Sequence, residues 1–302
     1  MKSALVGAIL LVCLGLPTAG ARAADTDPGL TSLPVDTVFR VRAFDPSGIV
    51  VDGSAVLVAA GKLITTCHVT RNARSVEVIR DGRAWPARPS FTDIEHDLCV
   101  LSAPDLVDAI PVDFALPEPP KLGDQVFAVG YPRGGEITIS SGRIKGLHNF
   151  DEGRLLQVSA PFDHGQSGGA IFNEDGKLIG IAAFKAVLGG DFHFALPLSW
   201  IENEILSSEV GDATKAKTGG MAFWERPRRE QPLPLQAASL EADGKWEALS
   251  SVAQKWVVVD GENECSWLTL GRALSRLGRH DDATRAFRRA TELNPSSIAY
   301  RQ

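Results

Sequence analysis

The chain has 302 residues, is 44% hydrophobic and carries a formal net charge of −6. That length accommodates a paired-barrel β domain together with a smaller module. The acidic balance, with no basic aromatic stripe and no glycine loop leading into Lys-Ser or Lys-Thr, argues against nucleic-acid binding and phosphate-cradling chemistry.

Met1-Lys2-Ser3 is a basic start, an apolar run covers Ala4 to Leu16, and Ala21-Arg22-Ala23 ends the stretch on small residues. This pattern predicts a signal peptide over 1–23 and a mature start at Ala24. About 13 apolar residues are too few to span a bilayer, so no membrane span is expected after signal removal. The expectation is an exported protein, periplasmic or secreted. Without Lys2 and Arg22 the net charge is about −8, and it is uneven. Residues 24–220 hold 17 Lys and Arg against 26 Asp and Glu, whereas residues 221–302 hold 12 against 11. The acidic part favours neutral or basic polypeptides as partners.

Residues 24–35 are polar and rich in Asp, Pro and Gly, and read as a leader. From Thr37 the chain breaks into short β-branched runs separated by turn residues. Val38-Phe39-Arg40-Val41-Arg42 alternates, Gly53 to Ala59 and Leu63 to Val69 are apolar, and Ser75 to Ile79 alternates before the Asp81-Gly82 turn. Leu98 to Leu101 completes a first set. A Pro-rich connector, Pro111 to Pro120, leads to a second set: 125–130, 136–140, 155–160, 170–173, 178–184 and 192–196. Two β-halves joined this way predict two barrels, about 36–110 and 120–200, with a site in the cleft between them. Leu198 to Leu206 reads as a terminal helix, which closes a domain over 36–206. Residues 207–232 lose periodicity and read as a linker. In 233–302, Trp267, Leu270, Gly271, Gly278, Ala283, Phe287, Ala290 and Pro295 fall at the spacing of one tetratricopeptide repeat of about 34 residues. Gly244 and Trp246 to Leu249 suggest a degenerate repeat before it. Two repeats are too few to stand alone, so they are expected to dock on the β domain, a partner or a second copy.

The chemistry centres on Gly165-Gln166-Ser167-Gly168-Gly169, a serine in a glycine-flanked turn just before the apolar strand Ala170-Ile171-Phe172. Glycines permit such a turn, and the turn aims successive N–H groups into one space. A serine nucleophile needs a base, and the base needs an orienting acid. His68, at the end of the strand Leu63 to Val69, and Asp97, at the start of Asp97-Leu98-Cys99-Val100-Leu101, are the candidates. Three cysteines follow the signal, and Cys67 and Cys99 lie beside this pair. If their strands are neighbours, a disulfide is allowed in an oxidising compartment; the alternative is two buried thiols acting as small hydrophobes. Cys67, His68, His96, Asp97, Cys99 and His164 do not make a metal site on this reading, because adjacent strand residues point to opposite faces.

These segments together resemble the trypsin-like peptidases of the HtrA/Deg type. The motifs are Gly53-Ser54-Ala55, Thr65-Thr66-Cys67-His68, Asp97-Leu98-Cys99, Gly130-Tyr131-Pro132, Gln166-Ser167-Gly168-Gly169 and Phe194-Ala195-Leu196-Pro197, in order over residues 36–204. The resemblance implies a mainly β, chymotrypsin-like double barrel of two six-stranded barrels, here followed by a small all-α tetratricopeptide module where a PDZ domain is usual. It implies a serine endopeptidase acting on polypeptides without a cofactor, with Ser167 as nucleophile, His68 as general base and Asp97 as its partner. The N–H groups of Gly165 and Ser167, with Gln166 where the turn permits, would form the oxyanion hole. Phe162, Asp163, His164, Ala182, Ala183, Phe184 and His193 would line a largely apolar substrate pocket. Gln166 stands where digestive zymogens carry an aspartate, so activation by an N-terminal ion pair is not expected. The tail is expected to recruit a partner or self-associate. A non-catalytic scaffold is the alternative, disfavoured by the complete His, Asp and Ser set.

Overall fold

Strands here do not all show the period-two burial of a half-exposed sheet. In the computed structural model, which describes residues 33–113, 119–186, 192–202 and 220–295, several strands are buried along nearly their whole length. β1 (Val38–Phe44) alternates over most of its length, whereas β6 (Leu98–Ser102) is buried at every position. The reason is the layering. Side chains on one face fill a barrel, and those on the other face pack where the two barrels meet.

The first barrel also contains β2 (Val50–Ala59), β3 (Lys62–Thr66), β4 (Ser75–Arg80) and β5 (Arg83–Asp93), in the closed order β1-β2-β3-β6-β5-β4. The second contains β7 (Gln125–Gly130), β8 (Thr138–Phe150), β9 (Gly153–Val158), β10 (Ala170–Asn173), β11 (Leu178–Ala186) and β12 (Phe192–Pro197). Its order, β7-β8-β9-β12-β11-β10, repeats the first. Phe39, Val41, Leu57, Leu63, Val78 and Leu101 fill the first barrel; Val126, Ile144, Leu156, Ile171 and Ala195 fill the second. A third cluster joins Val38, Ile64 and Leu98 of one barrel to Phe127, Phe172 and Phe194 of the other. This third cluster is the apolar wall on which the two barrels meet.

The expected terminal helix is, as far as it is described, a 3-10 turn over Leu198–Trp200. The signal segment, most of the leader and residues 203–219 lie outside the described residues. From residue 220 the stretch read as a linker is not a loose connector. Phe223 is fully buried in the inter-barrel cluster, which also takes up Leu235 and Ala238. Sequence composition missed this because Met221-Ala222-Phe223-Trp224 is a short apolar island among charged residues.

Four helices follow: α2 (Leu233–Ala242), α3 (Trp246–Val259), α4 (Glu264–Arg276) and α5 (His280–Leu293), with α1 reserved for a single turn described below. They form two hairpins. At Gly271 an added β-carbon would lie 2.5 Å from the Phe287 ring, so only glycine lets α4 and α5 approach this closely. The module docks on the second barrel. Asn263 does two jobs: its Oδ1 accepts from the Cys265 N–H to cap α4, and its Nδ2 donates to the Leu147 carbonyl of β8. Cys265 is buried at this seam, and burial pushes its thiol pKa up to about 12, which leaves it inert.

His148 lies in the same seam, near the Trp256 and Phe194 rings, with Nε2 2.9 Å from the Gln157 Oε1. Burial lowers its pKa from 6.5 to about 4. The folded protein therefore binds fewer protons than the unfolded chain between those values, and stability is lost as pH falls through them. From pH 7 to pH 5 the cost is about 2 kcal/mol. His96 works oppositely: burial lowers its pKa, but Asp93 and Asp151 outweigh burial and leave it raised. Its contribution is present at low pH and fades as pH rises above 6.5. Comparing urea midpoints of wild type and His148→Gln at pH 5 and pH 7 isolates His148. The variant should be less acid-sensitive, and an unchanged pH dependence would refute the assignment.

Candidate active site

β3 delivers two buried threonines to the cleft, and the Thr65 hydroxyl donates to the Ser54 carbonyl at 2.7 Å. The chain then turns into α1 (Cys67–Thr70), so His68 sits on a single helical turn rather than at a strand end. The Cys67 and Cys99 sulfurs are bonded, with their Cα atoms 5.0 Å apart. The bridge ties the start of α1 to β6, next to both predicted residues. By loop-closure entropy over a 32-residue separation, its loss should cost about 3–4 kcal/mol. Urea unfolding of a Cys67→Ala/Cys99→Ala variant, or of reduced wild type, measures this; an unchanged midpoint contradicts it.

Asp97 occupies the left-handed region at φ 61°, which Asp tolerates better than most residues. This turns its carboxylate under α1, where the side chain is 1% exposed. Oδ1 accepts the His68 backbone N–H at 2.8 Å, and Oδ2 lies 2.7 Å from His68 Nδ1. A buried carboxylate on Nδ1 fixes the tautomer with Nε2 free to accept a proton.

Ser167 belongs to the second barrel, yet its backbone reaches the first: the Ser54 N–H donates to the Ser167 carbonyl at 2.8 Å. The following Gly168 has φ +87°, and a β-carbon there would lie 2.1 Å from the Ser54 carbonyl oxygen. No other residue fits. A β-carbon at Gly53 would contact both Val69 and the Ser167 carbonyl oxygen, so the serine turn and the residue after His68 share one wall. In this state the Ser167 hydroxyl donates to the Ala183 carbonyl at 2.9 Å.

The loop before the serine is braced on several sides. The Arg133 N–H donates to the His164 carbonyl at 2.6 Å, and the Ser54 hydroxyl donates to the Gly165 carbonyl at 2.8 Å. With the His164 carbonyl turned to Arg133, the planar trans peptide sends the Gly165 N–H the opposite way. The Gln166 N–H is taken by the Asp163 carbonyl at 3.0 Å, so the turn does not leave it free to meet an incoming oxygen. Its side chain accepts from the Asp163 N–H and donates to the Thr138 hydroxyl.

Of the predicted pocket residues, Phe162 and His193 come together, their rings 4.8 Å apart and inclined at 60°. Ala182 and Ala183 are buried beside the serine turn. Phe184 turns instead to Phe194 and Trp224, and the His164 side chain is exposed. Asp163 is held by Lys185 at 2.8 Å and Arg133 at 3.2 Å; Lys185 first, then the His164 N–H and Arg133, keep it well below the usual carboxylate range. A cavity of about 750 Å³ lined by Phe150, Leu156, Ile179 and Leu198 contains none of His68, Asp97 and Ser167.

Residues unforeseen from sequence are Ser54, Arg133 and Trp224. The Trp224 indole N–H donates to Asp97 Oδ2 at 3.0 Å.

Two closed six-stranded barrels of repeated strand order, with a His–Asp pair on one and a glycine-flanked serine on the other, define a chymotrypsin-like double barrel. Residues 53–181 match the trypsin-like peptidase domain profile, and residues 266–302 match a tetratricopeptide repeat. Over these residues the chain is thus similar to trypsin-like peptidases, with relatives of the HtrA/DegP type, and its C-terminal part is similar to a tetratricopeptide repeat. It is 30% identical over 182 residues to the periplasmic serine endoprotease DegP of Escherichia coli K12, covering 57% of this chain and 38% of that one. A probable DegP-like periplasmic endoprotease of Rhizobium meliloti is 34% identical over 167 residues, covering 52% and 32%. The active form of the Rv3671c protease of Mycobacterium tuberculosis shares the fold, with a TM-score of 0.57 at 24% identity over 64% of this chain and 91% of that one. The HtrA-type protease AlgW with a tripeptide gives 0.52 at 30% identity over 58% and 60%. The chain therefore spans well under two thirds of the length of these curated relatives. No helix among the described residues is long and apolar enough to cross a membrane.

Proposed function

We propose that the chain is an exported serine endopeptidase that hydrolyses peptide bonds through an acyl-enzyme. The observation that carries this reading is the buried Asp97 carboxylate on His68 Nδ1 at 2.7 Å. The Ser167 hydroxyl swings from the Ala183 carbonyl to His68 Nε2, which takes its proton as Oγ attacks the scissile carbonyl carbon. The tetrahedral oxyanion is held by the N–H groups of Gly165 and Ser167. His68 then protonates the leaving amine as the C–N bond breaks. Water, deprotonated by the same imidazole, releases the acid product from Ser167. Asp97, held on Nδ1, orients the ring and stabilises the imidazolium.

Phe162, Ala182, Ala183 and His193 favour small or apolar side chains before the cut, and Asp163 is already neutralised by two cations. Export fits the apolar N-terminal stretch and the Cys67–Cys99 bridge, which suits an oxidising compartment. The helical module, docked along one side, leaves its remaining surface to a protein partner or a second copy. A fluorophosphonate probe on the purified chain tests the chemistry: mass spectrometry should place the adduct on Ser167. An unlabelled chain that also leaves unfolded casein intact would end the proposal.

A further inference from the structure

We infer that Trp224, from the segment between the second barrel and the helices, is a positioning residue of the catalytic centre: its indole N–H holds the Asp97 carboxylate and its ring backs the His68 imidazole. The inference rests on the proposed Ser167–His68–Asp97 mechanism. It is carried by three contacts made by one side chain. Nε1 donates to Asp97 Oδ2 at 3.0 Å, the same oxygen that meets His68 Nδ1. The indole stands edge to face on the imidazole, centroids 5.4 Å apart at 84°. Its other contact is a stack on Phe184, 4.9 Å apart at 14°. Phe184 follows Ala183, whose carbonyl holds the Ser167 hydroxyl.

The need is physical. A carboxylate 1% exposed cannot turn to water for its remaining lone pairs, so each must find a donor inside the protein. Backbone N–H, imidazole N–H and indole N–H together hold the Asp97 carboxylate in one rotamer. Removing the last of these leaves the carboxylate free to rotate away from Nδ1, and with it the tautomer that gives Nε2 its acceptor role.

The segment is clamped on both sides of this ring. The Glu225 carboxylate forms a two-pronged pair with Arg71, the residue that ends α1, at 2.5 and 2.6 Å. It also accepts the Ala222 N–H, which closes the turn. The Phe223 N–H donates to the Glu95 carbonyl at 3.0 Å, and Arg226 pairs with the Glu95 carboxylate. Phe223 is buried against Phe150, Phe184 and Trp200. Gln231 then donates to the carbonyls of Trp224 and Arg226, joining this clamp to the approach to α2. The tail side of the chain therefore supplies a side chain to the reaction centre.

The test uses the mature full chain with Trp224→Phe, which keeps an aromatic ring and removes the N–H. A second form carries benzothienylalanine at position 224, which keeps the bicyclic shape and also lacks the N–H. In both, kcat on a fluorogenic peptide should fall roughly tenfold with KM within twofold, in line with losing a hydrogen bond to a charged group. The downfield Nδ1 proton resonance of His68 should move or broaden in both. Wild-type kcat with an unmoved resonance in the benzothienyl form overturns the inference. So does a rise in kcat/KM with Trp224→Ala, which would make the ring a cover over the cleft. If wild type itself neither reacts with fluorophosphonate nor cleaves peptide, the proposed function fails, and the Nδ1 resonance alone still decides the role of Trp224.

Discussion

Ser167→Ala should lower kcat by about a millionfold while leaving KM and the thermal midpoint close to wild type. The reason lies in how little else the hydroxyl does. Its one partner in this state is the Ala183 carbonyl, so its removal neither opens the core nor breaks a barrel strand. His68→Ala should cost about as much, and the double variant no more, because proton transfer and attack are one event. Hydrolysis of unfolded casein by each purified variant measures this, with labelling by the fluorophosphonate as a second readout. Ser167→Ala retaining a tenth of wild-type activity would remove the serine from the mechanism.

Asp97→Asn is the second large effect, a loss of about 10⁴ in kcat. Here the geometry explains the size. Two donors, the His68 N–H and the Trp224 indole N–H, already point at the carboxylate along with His68 Nδ1. An amide must present its NH₂ to one of those sides. Placed at Oδ2, it faces the indole N–H and offers Nδ1 a donor, which protonates Nε2 and leaves Ser167 without a base. Placed at Oδ1, it opposes the His68 backbone N–H. Either way a buried donor loses its acceptor. A variant within tenfold of wild type, with KM unchanged, would show that Asp97 does not set the tautomer.

Much of this was legible in the residues, and the limits are physical. Short β-branched runs with turn residues at intervals specify strands, and their grouping specifies two β-halves; the six-stranded count is what the resemblance implies, since β5 (Arg83–Asp93), with Pro86 and Pro89 in it, leaves no such run. The serine turn could be read because Gly165 and Gly168 sit at φ +92° and +87°, where side chains are disfavoured, and such glycines leave a pattern in sequence. His68 and Asp97 were visible through their apolar flanks. The single turn of α1 was not, since Cys67-His68-Val69-Thr70 reads as a β-branched strand until β6 and the disulfide bend it. No local rule says which N–H of a turn faces inward, so sequence alone does not show that the Gln166 N–H goes to the Asp163 carbonyl. Trp224 lay furthest from view. Its hydrogen bond spans 127 residues of chain, and only the apolar island Met221 to Trp224 hinted that the stretch would pack.

The position of Phe223 and Trp224 redraws the boundary of the double-barrel unit. A chain cut where the last barrel strand ends would keep every strand and every motif residue, yet it would expose a trough between the barrels and strip a donor from the acid beneath the imidazole. Helical tail and double barrel are thus not exchangeable cassettes. Any exchange of one helical appendage for another would have to keep this clamped segment with the barrels or refit the acid with a new donor.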